Sequence, residues 1–394
     1  MRVLLGSQHG YTYQKIAAGL SLNALFSIFV VFVGIAYIPK RILALRALIP
    51  LYIFMLVIFI SGVINFEAIG LFQVITKWLY FIVIMGFLII AFEMCGTFIV
   101  SKAVFLAISP IPALQIASYI LGKAKNTEND LSVSYIGGYF HEANFSIMLI
   151  IIMLCSIFVT SRLRFYIRYG ILVILMAGII LANYRTALIS AAPIFIAYYF
   201  YDQLKRTSLY FQPIIIFCSF FGIIAILTQL PASFQERFSS ISDFSRDVNI
   251  VFQNPTDFTR SERDIFSARV YIWSQYIDGF ESGHLHAKII GHGPESWSGK
   301  FSKYAHNTLI SNLYEFGITG FLITIILMIN FVIIAASINN ALDKMLMISL
   351  HIGFILLNMA TMPLWAIEGI LLYAFITALT IYKSSNFQKS ANKF

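Results

Sequence analysis

The chain's sequence predicts an all-α, polytopic membrane protein of about 11 (10–12) transmembrane helices with one large, partly helical loop. Three observations predict it. Of 394 residues, 59% are hydrophobic and only 11% are charged, with a mean hydropathy of +0.83, whereas a soluble domain carries about 25% charged residues. Apolar runs of roughly 18 residues or more recur along the chain, and each suffices to cross a hydrocarbon core. The runs are continuous rather than alternating, which excludes a membrane barrel.

The spans fall at 16–38, 47–66, 72–92, 103–121, 144–160, 169–184, 186–201, 208–230, 316–338, 345–362 and 364–382. Ser109-Pro110-Ile111-Pro112 breaks or kinks the fourth, and two spans meet at Asn183–Arg185. Met1 to Lys15 has no signal-peptide cleavage pattern, so the first apolar run is expected to remain as an anchor. No internal repeat is evident. One membrane domain, 1–394, is therefore expected, with a polar segment at 231–305 inserted between spans; loops of that length tend to be functional. Within it, 260–273 reads as a helix placing Ile265, Arg269 and Trp273 on one face, and Gly291-His292-Gly293-Pro294 reads as a turn.

Orientation follows from the basic residues, which concentrate in cytoplasmic turns. Lys40, Arg41, Arg46, Lys102, Arg162, Arg164, Arg168, Lys205, Arg206, Lys344, Lys383, Lys389 and Lys393 share one side with few acids, namely Glu93, Asp202 and Asp343. That side is expected in the cytoplasm and the insertion outside. Of 18 acids and 27 bases, nine and eight lie in 231–305, leaving nine against 19 elsewhere. The net charge of +9 is thus a topology signal and not a nucleic-acid footprint. An odd number of spans puts the amino terminus outside. Cys95, Cys155 and Cys218 are isolated within apolar runs, so neither a disulfide framework nor a zinc site is expected.

Polar groups at membrane depth mark functional sites, and His306 to Gly320 places a histidine, two amides and a carboxylate at the mouth of an apolar run. Arg185 ends another run, and Arg269 sits in the loop. Guanidinium groups suit phosphate through charge-assisted, bidentate bonds, and a histidine accepts a proton near neutrality. Two arginines and a histidine at one membrane face suit a reaction on a lipid-linked phosphate, with the arginines stabilising a departing pyrophosphate and the histidine deprotonating a hydroxyl. Each has a bland counterpart: Arg185 as a snorkelling residue, Arg269 as a loop charge, His306 as a cap, Glu315 as an ion-pair partner. Asn144 reads equally as a helix cap or a sugar contact. Tyr271, Trp273, Tyr276, Trp297 and Tyr304 suit sugar stacking or a small loop core. His284, His286, His292 and His306 lack a helical pairing with a carboxylate, so no metal is expected, and no phosphate-cradling glycine loop occurs.

The segment His306-Asn307 … Glu315-Phe316-Gly317-Ile318-Thr319-Gly320-Phe321 resembles the signature of the O-antigen polymerase and O-antigen ligase superfamily, a His-Asn or His-Ser pair followed by Glu-x-Gly-x-x-Gly. Arg185-Thr186-Ala187-Leu188 resembles that family's Arg-Thr/Gly-Ala motif, and Gly138 to Asn144 its Gly-x-Phe-x-x-x-Asn stretch. Ala268-Arg269 … Trp273 and Gly291-His292-Gly293 fall in family order. Tyr184 departs from the usual Ser or Thr, and His141-Glu142 from Asn-Pro. The resemblance covers about 137–325 and implies a GT-C-like, metal- and cofactor-independent glycosyltransferase of the bacterial inner membrane, with its active site facing the periplasm. It implies an inverting displacement on an undecaprenyl-pyrophosphate-linked glycan, with His306, Arg185 and Arg269 catalytic and Glu315 a supporting polar residue; Asn307, Asn144, Arg263 and Trp273 are, with Glu315, the candidate substrate contacts. Its expected partners are the donor glycan, an acceptor glycolipid, membrane lipids and a chain-length regulator. The polymerase transfers to a second lipid-linked repeat and the ligase to lipid A core; the high Phe and Ile content and the motif departures favour the polymerase. A flippase would require mid-span charges and pseudo-repeats.

Overall fold

The computed structural model describes residues 6–12, 14–17, 20–126, 133–208, 210–212, 214, 248–266 and 268–384. The expected span at 208–230, Cys218 and the first part of the insertion lie largely or wholly outside these residues. The principal helices are α1 (Leu22–Tyr37), α2 (Ile49–Ile64), α3 (Ala68–Ile108), α4 (Pro110–Ile120), α5 (Glu142–Val159), α6 (Phe165–Leu181) and α7 (Arg185–Arg206). After the insertion's α8 (Arg269–Glu281) and α9 (Leu285–Ile290) come α10 (Thr308–Ala336), α11 (Ala341–Ala360) and α12 (Ile367–Lys383). Among the described residues the strands form two short antiparallel pairs, 15–17 with 20–21 and 125–126 with 133–134. Five helical stretches among the described residues are long and apolar enough to cross a membrane, and two shorter apolar helices, Leu22–Tyr37 and Tyr166–Leu181, accompany them.

Several boundaries differ from expectation for local reasons. The first apolar run is helical only from Leu22, where the Ser21 hydroxyl accepts the Ala24 N–H at 3.2 Å. The expected spans 72–92 and 103–121 are joined through Gly96, whose φ of +74° is a left-handed value that glycine tolerates. The chain reverses there. Thr97 and Phe98 lie beside Asp202 and Arg206, while Gln115, further on, donates to the Tyr135 and Gly178 carbonyls at 2.8 Å. The break expected at the prolines falls at Ser109, with Pro110 opening α4. The expected span at 316–338 begins earlier, at Thr308, and is interrupted at Gly317 (φ +66°).

The helices run between two chemically different ends. One end carries Arg41 on Glu93 at 2.6 Å, Lys383 on Asp343 at 3.1 Å, and Asp202 held between Arg168 and Arg206. These belong to the basic set assigned to the cytoplasm. The insertion covers the opposite end. Between the ends α5 is buried along nearly its whole length and packs against α3, α6, α7 and α12.

Within the insertion, the helix expected over 260–273 is broken. Thr259 and Glu262 form a capping box for a single turn, Arg260–Arg263, and the chain bends where Phe266 (φ +53°) and Ala268 (φ +63°) are left-handed. Ile265 therefore shares no helix with Arg269 and Trp273. The bend makes Arg269 the first residue of α8. Val251, Phe258, Val270, Trp273 and Ile277 form a small core of the lid's own.

Candidate active site at the lid end of the bundle

His306 is placed by its neighbours. The Trp273 indole N–H donates to the Ala305 carbonyl at 2.9 Å, and the Tyr276 hydroxyl donates to the Lys303 carbonyl at 3.1 Å, so α8 straps down residues 303–305. Asn307 then caps α10: its Oδ1 accepts the Leu309 and Ile310 N–H groups at 2.9 and 3.3 Å, and its Nδ2 donates to the Met359 carbonyl at 3.1 Å. Between strap and cap, His306 takes a left-handed conformation (φ +52°), sparsely populated by non-glycine residues and costing about 1–3 kcal/mol. Its ring lies against Tyr304, centroids 3.9 Å apart.

Burial holds the His306 imidazole far below its usual value, at about 3, and the charges of Arg269, His141 and Lys303 push in the same direction. The ring is neutral at pH 7 and has the cationic Arg269 and Lys303 nearby. Tyr304 is raised well above the ordinary phenol value, mainly by burial, and responds to Tyr184, Arg269 and Glu142. The rings of His141 and Tyr184 lie 6.4 Å apart. His141, Tyr184, Arg269, Tyr304 and His306 thus form one neighbourhood.

Arg269 reaches the end of α11, its Nε donating to the Ala360 carbonyl at 3.2 Å, with Phe266 5.2 Å beneath the guanidinium. Arg185 opens α7 at the same level. α7 and α11 pack closely and are antiparallel: Gly353 abuts the Ser190 carbonyl, and Asp343 meets Tyr201. In that register Ala360 comes level with Asn183 and Tyr184. The fold thereby brings Arg185, Arg269 and the Asn307 cap to one rim, from segments distant in sequence. The amino end of α7 has no side-chain cap, and the helix dipole there favours an anion.

The other substrate candidates are placed differently. Glu315 is buried (1% exposed) and is not among the cavity's walls. Its oxygens accept the Ser311 hydroxyl at 2.7 Å and the Glu295 N–H at 2.8 Å, while its own carbonyl accepts from Gly293 N–H and the Ser61 hydroxyl. It clamps the lid to α10. Trp273 is 6% exposed within the lid core, and Arg263 is exposed over Tyr271 at 5.0 Å. Asn144 lies in the first turn of α5, whose cap is His141, its Nδ1 accepting the Ala143 N–H. Asn144 does line a cavity of about 580 Å³, together with His141, Tyr304, Trp365 and Lys77.

Lys77, His141, Lys303 and Trp365 were not among the expected site residues. Only Lys77 had a clear signal, as a lone charge within an apolar run. Its ammonium meets the Glu295 carboxylate at 2.9 Å and lies 5.0 Å from the Trp365 ring. A neutral imidazole with Arg269 and Lys303 nearby can hold an anion and, once the anion offsets their charge, take a proton.

Residues 170–325 match the family model described as O-Antigen ligase. No curated protein matches the chain. The family match runs from within α6 through α7, the insertion and the His306 block into α10, and supports the O-antigen polymerase and ligase superfamily for this chain.

Proposed function

We propose that the protein is a surface-polysaccharide polymerase of the bacterial inner membrane. It transfers a growing glycan from undecaprenyl pyrophosphate to a lipid-linked repeat unit at the periplasmic face. The observation that carries the reading is the shared level of Arg185, Arg269 and His306 at the lid end of the bundle. The acceptor oxygen attacks the anomeric carbon opposite the leaving group, the carbon–oxygen bond to pyrophosphate breaks with its electron pair, and the configuration inverts. Arg185 and Arg269 take the departing charge. His306 takes the acceptor's proton, or orients its hydroxyl. The anion's charge raises the affinity of the imidazole for a proton, so the base strengthens when the donor is seated. No step needs a metal. A chain-length regulator acts as a further partner.

The description of the matching family model favours a second reading, in which the same machinery passes the glycan to lipid A core. A transporter gains no support from that match. Deleting the gene separates the readings. Loss of a polymerase is expected to leave lipid A core bearing a single repeat unit, seen as collapse of the glycan ladder on a gel. Loss of a ligase leaves the core bare while long glycan accumulates on the carrier lipid. An unchanged surface glycan would contradict both.

A further inference from the structure

The 580 Å³ cavity beside the His306 neighbourhood is walled by α1, α3, residues 140–144 and the start of α12. Its size is that of a small-ligand pocket. Three amides face it. Asn23 is 1% exposed; its Nδ2 donates to Thr12, but its Oδ1 has no hydrogen-bond partner among the described residues. The side chains of Gln73 and Asn144 likewise make no hydrogen bond to a described residue. Tyr304, Trp365 and Phe140 supply aromatic surface, Phe140 at 63% exposure and the first two with ring centroids 5.9 Å apart.

We propose, resting on the transferase reading above, that this cavity binds the acceptor saccharide, and that the pyrophosphate of the donor binds on the other side of His306, at the arginine rim. An amide offers both donors and acceptors, which matches the paired roles of sugar hydroxyls. The C–H face of a sugar ring fits the electron-rich face of an aromatic ring. A pyrophosphate fits this cavity poorly, because its one ammonium, Lys77, is already paired with Glu295. A prenyl tail suits only the apolar wall of Ile28, Phe72, Ile367 and Ile370, because against Asn23, Gln73 and Asn144 it would bury three amides with no compensating bond. Tyr304 joins the two sides: it lines the cavity and its ring packs, tilted, against His306 with centroids 3.9 Å apart, so a sugar hydroxyl at the cavity's inner end comes beside the imidazole.

The test uses the full chain in nanodiscs and two probes. One is the oligosaccharide released by mild acid from the host's own surface polysaccharide; the other is farnesyl pyrophosphate. Gln73→Ala and Asn144→Ala are expected to weaken oligosaccharide binding about three- to tenfold each, while farnesyl pyrophosphate affinity stays unchanged. Arg269→Ala is expected to do the reverse. Gln73 and Asn144 substitutions that weaken farnesyl pyrophosphate instead, or that leave oligosaccharide affinity unmoved, would overturn the assignment. The deletion strain keeps the two claims apart: if its surface glycan is unchanged, the transferase reading fails. If that glycan is altered but both variants bind the oligosaccharide normally, only the pocket assignment fails.

Discussion

Replacing His306 by alanine is expected to lower glycan transfer by about 10²–10⁴-fold, the usual range for a positioned acid–base group, without unfolding the protein. The side chain makes a ring contact with Tyr304, whereas the elements that hold its backbone are Asn307 as cap and Trp273 as strap. Removing it leaves those intact. Surface glycan in a strain carrying only the variant should resemble that of the deletion, while the membrane level of the protein stays near wild type. Unchanged glycan length and attachment would remove the imidazole from the mechanism. Loss of the protein itself would make the residue structural.

The second large effect is expected at Gly291. A Cβ there would lie 2.1 Å from the Glu315 carbonyl oxygen and 2.3 Å from the Phe316 nitrogen, at a φ of +79°. Both obstacles are backbone atoms, so no side chain can rotate away. Overpacking typically costs about 1–3 kcal/mol, and the backbone there (φ +79°, ψ −175°) lies in a region essentially reserved to glycine, adding about 1–3 kcal/mol for a residue with a Cβ. The site is also where the lid is seated: the Gly293 and Glu295 N–H groups bond to Glu315, and the Gly291 carbonyl accepts from Asn65 at 3.1 Å. Gly291→Ala is therefore expected to lower the melting temperature in detergent by several degrees and to abolish transfer. Gly299→Ala, where nothing lies within 4 Å of the added carbon, should be silent. Equal behaviour of the two variants would show that the seat does not hold the lid.

Much of the helical plan was legible because long apolar runs have few alternatives at membrane depth. The junction near Asn183–Arg185, the break at the Ser109–Pro112 prolines and the turn at Gly291 followed from residue type, whereas the joint at Gly96 did not. The break at Phe266 and Ala268 was hidden because neither residue favours a left-handed backbone, and only the lid's packing makes them adopt it. Asn307, Glu315 and Trp273 show a different limit. Their chemistry suits a substrate contact, yet the fold uses Asn307 as a cap, Glu315 as a clamp and Trp273 as a strap. Side-chain identity does not reveal whether a polar group faces ligand or backbone. Lys77 was the opposite case: its charge lies within an apolar run, but only the fold shows that it meets Glu295 and Trp365. The level shared by Arg185 and Arg269 depended on the antiparallel register of α7 and α11, which no local pattern encodes.

The central claim is that an anionic pyrophosphate sits among Arg185, Arg269 and His306. Nitrogen NMR of the His306 ring, with and without farnesyl pyrophosphate, tests it most directly. Without ligand the imidazole, held at about 3 by burial and by its cationic neighbours, is expected to stay neutral down to pH 4.5. With ligand the nearby negative charge should raise its pKa by about 1–3 units, so that the imidazolium signal appears as pH falls through that range, and Arg269→Ala should suppress the change by weakening binding. A ring that titrates identically with and without bound farnesyl pyrophosphate would contradict the account.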